Sequence, residues 1–146
     1  MRDQANNIIV KRVISPVSVS DTTPQVGQII DRLGADSLTY IIATGSIADA
    51  DATFTSLLEE SDAADLSGSN TVADADMISQ TPGTAPETAA SFQFDSDNQV
   101  RKLGYIGNKR YTRLTITPAS NASAAVFGAV AELAHLSLKP GVQGTA

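Results

Sequence analysis

Cysteine and tryptophan are absent from this chain of 146 residues, and histidine occurs once, at His135. Without cysteine there is no disulfide framework, thiolate metal site or cysteine nucleophile. A single imidazole excludes a histidine-rich metal centre within one chain and argues against a Ser-His-Asp triad. No apolar run approaches the ~20 residues of a membrane-spanning helix. Met1 to Asn7 lacks the charged-then-apolar layout of a secretory signal. Lys and Arg are missing altogether from Asp49 to Asp97, a stretch that holds 11 of the 16 acidic residues. Acids are missing in turn from Arg101 to Arg113, where five of the 10 basic residues lie: Arg101, Lys102, Lys109, Arg110 and Arg113.

What remains is a chain 42% apolar and 18% charged, of formal charge −6. That composition and length suit one folded domain with a core of small aliphatics. The segregated charges fit an acidic loop region beside a basic hairpin face. They also fit a two-signed surface that orients the protein on a charged partner. The acidic balance argues against a dedicated phosphate binder, hence against nucleic acid.

Ser and Thr together number 29, and Thr, Ile, Val and Tyr cluster in short runs broken by Gly, Pro, Asn and Asp. This is strand-and-turn punctuation. Ile8 to Val19 is β-branched and extended, and Pro16 makes it an edge strand or an arm. Leu38 to Thr44 places Leu38, Tyr40 and Ile42 on one face. Ala52 to Glu60 permits a helix or a strand, and its Thr-Phe-Thr start favours the strand. Val100 to Ile106 and Lys109 to Thr117 flank Gly107-Asn108, which reads as a hairpin with a type II′ turn. Ala124 to Leu138 is apolar on both sides and reads as a long strand. The expected fold is an all-β, single-domain β-sandwich or jelly roll of about eight strands. Residues 1–20 form an arm or edge strand, 21–140 the sandwich and 141–146 a flexible tail.

Chemistry-bearing patterns are sparse. Asp49/Asp51 and Asp74/Asp76 are the candidate Ca²⁺ ligands, but neither pair has EF-hand spacing, and Asp is a common turn residue. A carboxylate pair for glycoside hydrolysis is invisible to sequence spacing, although Phe54, Phe92, Phe94, Phe127, Tyr40, Tyr105 and Tyr111 mostly fall on strands, where core use is the default. His135, in the apolar last strand, reads as a core or subunit-contact residue. No nucleophile elbow, P-loop or dinucleotide fingerprint occurs. The expectation is a protein without catalytic residues, metal ligands or cofactor, with no membrane or small-molecule partner.

Three blocks carry a resemblance: Leu38 to Asp62 (LTYIIATGSIADADATFTSLLEESD), Val100 to Pro118 (VRKLGYIGNKRYTRLTITP) and the Ala-rich strand up to His135. Over about two thirds of its length the chain resembles small virion proteins of tailed bacteriophages encoded beside the major capsid protein. The resemblance implies a structural role, most closely that of a capsid cement or decoration protein. Such a protein assembles in the host cytoplasm and sits on the outer surface of the shell. Its partners are the major capsid protein and further copies of itself, as a homodimer or trimer. The alternatives are a head-completion or tail-tube ring component, and a carbohydrate- or calcium-binding β-sandwich module. The residues expected to touch partners are Ile8, Ile9, Val10, Lys11 and Arg12, from the edge segment, and Arg101, Lys102, Lys109, Arg110 and Arg113, from the basic hairpin.

Overall fold

Residues 2–139 and 141–144 are described by the structure, a computed structural model. Two antiparallel sheets pack face to face as a β-sandwich. The first holds β1 (Ile8–Val19), β11 (Ala125–Leu136), β4 (Ala35–Ile47), β9 (Val100–Tyr105) and β7 (Met77–Ser79), in that spatial order. The second is centred on β10 (Tyr111–Ala119) and β5 (Thr53–Ser61). Short β2 (Gln25–Val26) and β3 (Ile30–Asp31) pair with β10, and β6 (Asn70–Thr71) and β8 (Phe92–Gln93) pair with β5. One five-residue helix, α1 (Pro86–Ala90), packs beside β5, β7 and β9. Among the described residues there are thus eleven strands rather than about eight, and the two-residue β2 and β6 are too short to leave a sequence pattern.

Period-two alternation sets the layers. In β4, Leu38, Tyr40 and Ile42 are buried between the sheets, and in β11 so are Phe127, Ala129, Ala131 and Leu133. The ambiguous β5 is a strand with Phe54 and Leu58 inside. Phe54 stacks on Phe92 at 4.7 Å, and Phe127 meets both rings edge-on at 5.6 and 5.4 Å, so aromatics from both sheets share one core. Two tyrosine hydroxyls bond across the layers. Tyr40 pairs with buried Thr112 at 2.7 Å, and Tyr105 donates to Glu60 at 2.5 Å. Burial pushes both phenols well above their ordinary pKa.

The hairpin expected at Gly107-Asn108 does not form. β9 pairs with β4 and β7 in one sheet, whereas β10 pairs with β5 in the other. The intervening segment crosses between layers, so the type II′ geometry is not used. Gly107 is needed for a different reason: a Cβ there would lie 2.6 Å from the Tyr105 hydroxyl.

His135 is not in the core. It is exposed at the end of β11, with φ +52°, and its Nδ1 lies 2.9 Å from the Ser37 hydroxyl. The positive φ turns its side chain out of the strand's alternation, between buried Leu133 and Leu136.

Candidate interaction face

β1 is the edge of the five-stranded sheet, and its open side is covered over its first half. The Val10 N–H donates to the Gln143 amide oxygen at 2.9 Å, and Gln143 Nε2 returns a bond to the Val10 carbonyl at 2.5 Å. Gly141 donates to Asn6 O, and Gln28 donates to Val13 O. Residues 141–144 of the expected tail therefore lie against β1, while 145 and 146 fall outside the described residues. Register shifts at Arg12/Ile14 and Ile14/Val17, together with Pro16, kink the rest of the strand. The other edges of both sheets are strands of two or three residues. Short, kinked or covered edges resist strand addition.

The broad faces are open instead. Along β11 the residues opposite the core are Val126, Gly128, Val130, Glu132 and Ala134. On β4 their neighbours are Gly45, Ala43, Ile41, Thr39 and Ser37, and on β9 Val100, Lys102 and Gly104. β1 adds Ile8, Val10, Arg12 and Pro16, and β7 adds Ile78. Val126, Val130, Ile78 and Val100 are 36, 37, 52 and 67% exposed, which makes this an apolar sheet surface facing solvent. A groove of about 330 Å³ runs along it between Ile14, Pro16, Ile41, Ala43, Val126 and Val130. Gly128 forms part of its wall, because a Cβ there would meet the Pro16 Cα at 3.2 Å.

The five basic residues expected on one hairpin face divide between the two sheets. On the β10 side each has a carboxylate. Lys109 pairs with Asp62 at 2.5 Å, Arg110 with Asp31 at 2.8 Å and Arg113 with Glu59 at 2.9 Å. The bidentate Arg110 contact holds the Asp31 carboxyl below its ordinary value, and Asp62 raises the pKa of Lys109. On the β9 side Arg101 and Lys102 take part in no ion pair among the described residues, and neither does Arg12 of β1. Arg12 bonds the Ser15 hydroxyl. Lys102 and Arg12 stand in the same cross-strand row as Ile41 and Val130, at either side of the apolar stripe.

Of the expected contact residues, Ile8, Val10, Arg12 and Lys102 therefore share this face. Ile9 packs into the core, and the Lys11 ammonium reaches the Asp31 carbonyl at 3.4 Å. Lys109, Arg110 and Arg113 are tied into ion pairs, and Arg101 points into a polar pocket beside α1. Sequence reasoning missed Ile41, Ala43, Val126 and Val130. The signal was the two-sided apolar pattern of β11, which fits an uncovered face as well as double burial.

The acidic pairs act as turn residues. Asp49 accepts the N–H of Ala122 at 2.7 Å and of Asp51 at 3.4 Å. The Ala122 bond and a side-chain hydrogen bond with Asp51 lower the pKa of Asp49, and that same side-chain bond, with the Asp49 charge, raises that of Asp51. Asp74 and Asp76 begin and end one 3₁₀ turn. Among the described residues no three His, Cys, Asp or Glu side chains gather as a metal site. Ser37 and His135 form a polar pair at the surface, and no carboxylate bonds the imidazole among the described residues. Five of the seven aromatic side chains are buried, leaving Phe94 exposed and Tyr111 half-buried under the Arg110 guanidinium. Among the described residues no helix is long and apolar enough to cross a membrane.

No family model matches the chain, and no curated protein matches it. Among solved structures it is similar to the CBM22-1 and GH10 modules of Clostridium thermocellum endo-1,4-beta-D-xylanase 10B with xylohexaose, at TM-score 0.45 and 10% identity over 91% of this chain and 27% of that one. It is also similar to a family two carbohydrate esterase from Cellvibrio japonicus, at TM-score 0.24 and 14% identity over 90% of this chain and 36% of that one. The chain thus spans 27 and 36% of the length of these proteins, and neither likeness supports assigning it a substrate or an activity.

Proposed function

We propose that this chain is a structural virion protein, a decoration or cement protein that holds neighbouring major capsid subunits together on the shell of a tailed bacteriophage. The observation that carries the reading is the outer face of the five-stranded sheet. It is apolar, flanked by Arg12 and Lys102, which make no ion pair among the described residues, and it belongs to a sandwich whose edges are closed to strand pairing. The sequence blocks 38–62 and 100–118 support the phage context by their resemblance.

Strands β1, β11 and β4 have 12, 12 and 13 residues. At ~3.4 Å per residue and ~4.8 Å between strands they present roughly 600 Å², approaching the ~800 Å² per partner of a stable protein interface. The complementary surface is an apolar patch rimmed by carboxylates, which face Arg12 and Lys102. Attachment acts by mass action. A ligand that binds only the expanded shell stabilises that state by about 2.7 kcal/mol per site at a hundredfold excess over Kd, and many copies on one lattice multiply the effect.

Purified protein mixed with expanded shells that lack it tests the reading by co-sedimentation and by the heat stability of the shell. Saturable binding of hundreds of copies, with raised shell stability and no binding to unexpanded particles, is the expected result. Six or twelve copies at one vertex would assign it to a ring, and no binding would reject the reading.

A further inference from the structure

Arg101 differs from the other arginines of its block. Its guanidinium is half-buried on the inner side of β9, at the mouth of a polar pocket of about 520 Å³ between α1, β8 and the turn that follows. A guanidinium stays charged at any pH a protein survives and carries five N–H donors. Three hydrogen bonds are made, all to neutral acceptors: Nη1 to the Ala89 carbonyl at 3.3 Å, and Nη2 to the Ser96 hydroxyl at 3.0 Å and to Gln99 Oε1 at 2.9 Å. Nε is sealed from solvent without an acceptor. The neighbouring carboxylates are engaged elsewhere. Glu87 accepts the Leu58 N–H, Asp97 accepts the Ile47 N–H, and Asp95 lies 3.5 Å from the Ser96 hydroxyl. The chain carries 16 acidic residues and pairs Lys109, Arg110 and Arg113 with carboxylates, yet among the described residues this half-buried cation makes no ion pair.

The pocket supplies what a small anion needs besides charge. The Thr88 hydroxyl and the Gln93 amide line it and form no hydrogen bond within the protein among those described. We propose that this pocket is a carboxylate-binding site, in which Arg101 supplies the charge and Thr88 and Gln93 supply further donors. One guanidinium balances one monoanion and matches the planar, two-oxygen geometry of a carboxylate. A phosphate dianion fits less well, because Asp95 lines the same pocket and adds repulsion. The chemistry suits the side chain of an Asp or Glu, or a free chain terminus, presented by another protein. The site stands apart from the outer sheet face, and its test requires no shell.

Isotope-labelled protein is titrated with sodium acetate, against sodium chloride at equal ionic strength, while the Arg101 Nε–H and the Gln93 side-chain amide resonances are followed. Saturable shifts of both with acetate and not with chloride are expected. Arg101→Gln is expected to weaken acetate binding about tenfold or more, as loss of a hydrogen bond to a charged group implies. Gln93→Ala, at an exposed side chain that leaves the fold's packing untouched, is expected to weaken it by a smaller factor. Absence of a saturable shift, or an equal response in Arg101→Gln, would overturn the proposal. Tighter binding of inorganic phosphate than of acetate would overturn the choice of ligand.

Discussion

The outer face of the five-stranded sheet sets Val126, Val130, Ile41 and Ala43 beside Arg12 and Lys102, which make no ion pair among the described residues; the outer face of the six-stranded sheet sets Thr53, Thr55, Thr117, Leu57 and Val26 beside the paired Arg113 and Glu59. Both surfaces obey the same alternation over the same core. They differ in what they leave unsatisfied. On the threonine face Thr53, Thr55 and Thr117 are exposed, the exposed aliphatics among the described residues are Leu57 and Val26 alone, and the charged pair is internally neutral, so contact with another molecule buries less apolar area and costs desolvation. On the valine face, covering the stripe removes apolar area from water at about 25 cal/mol per Å², and the two cations gain partners. A sandwich with one such face is polarised for adhesion, and the basic residues of the 101–113 block support this by separating. Lys109, Arg110 and Arg113 are held in ion pairs within the fold, and of the two on β9 only Lys102 stands on the outer face.

The largest effect should come from placing a charge in the stripe. Val126→Glu, at a position whose cross-strand partner on β1 is Ser18 and not a cation, is expected to weaken attachment to expanded shells more than about a hundredfold, because an uncompensated charge buried in an interface costs about 3–5 kcal/mol. Thr55→Glu, the matching change on the other face, should leave co-sedimentation unchanged. Equal losses would erase the distinction between the faces. Charge reversal at the flanks, Arg12→Glu with Lys102→Glu, should weaken attachment about tenfold or more and reverse its salt dependence, since the new carboxylates are repelled by the carboxylate rim and salt screens that repulsion.

Within the fold the differences are smaller. Tyr40→Phe deprives buried Thr112 of its partner across the two sheets and should lower stability in urea melts by about 1–3 kcal/mol. A double-mutant cycle on Glu59 and Arg113 should return a coupling of about 0.5–1 kcal/mol, as befits a half-buried surface pair. The smallest effect concerns acid. Arg110 depresses the Asp31 carboxyl in the folded state, so its contribution is complete above the unfolded pKa and is lost as pH falls through the folded one. Asp31→Asn should therefore show a shallower loss of stability in the acid range below the ordinary carboxylate pKa, measured as urea midpoints against pH.

Period two made β4, β5, β10 and β11 legible, since Leu38, Tyr40 and Ile42, or Leu114 and Ile116, declare one buried face without reference to partners. Partners themselves were not legible. Gly107-Asn108 satisfies the local chemistry of a hairpin, but β9 finds its ladder with Leu38 to Ala43 and β10 with Thr53 to Ser61, and those long-range pairings override the turn. The same blindness hid the ion pairs, because Asp31 and Arg110 are separated by 79 positions, Glu59 and Arg113 by 54. Charge segregation along the chain thus reads as a basic patch until the fold cancels most of it. The apolar face lay in plain view as the two-sided run of β11, but a single strand does not reveal whether its second side is covered by another layer or by nothing.

Side-chain carbene footprinting of the protein alone and bound to expanded shells tests the face assignment directly. Exposed aliphatics stand on both surfaces, with Val126, Val130 and Ile78 on one and Leu57 and Val26 on the other. The account predicts that binding protects the first three and leaves the last two labelled as in the free protein. Protection of Leu57 and Val26 with Val126, Val130 and Ile78 unchanged would contradict it.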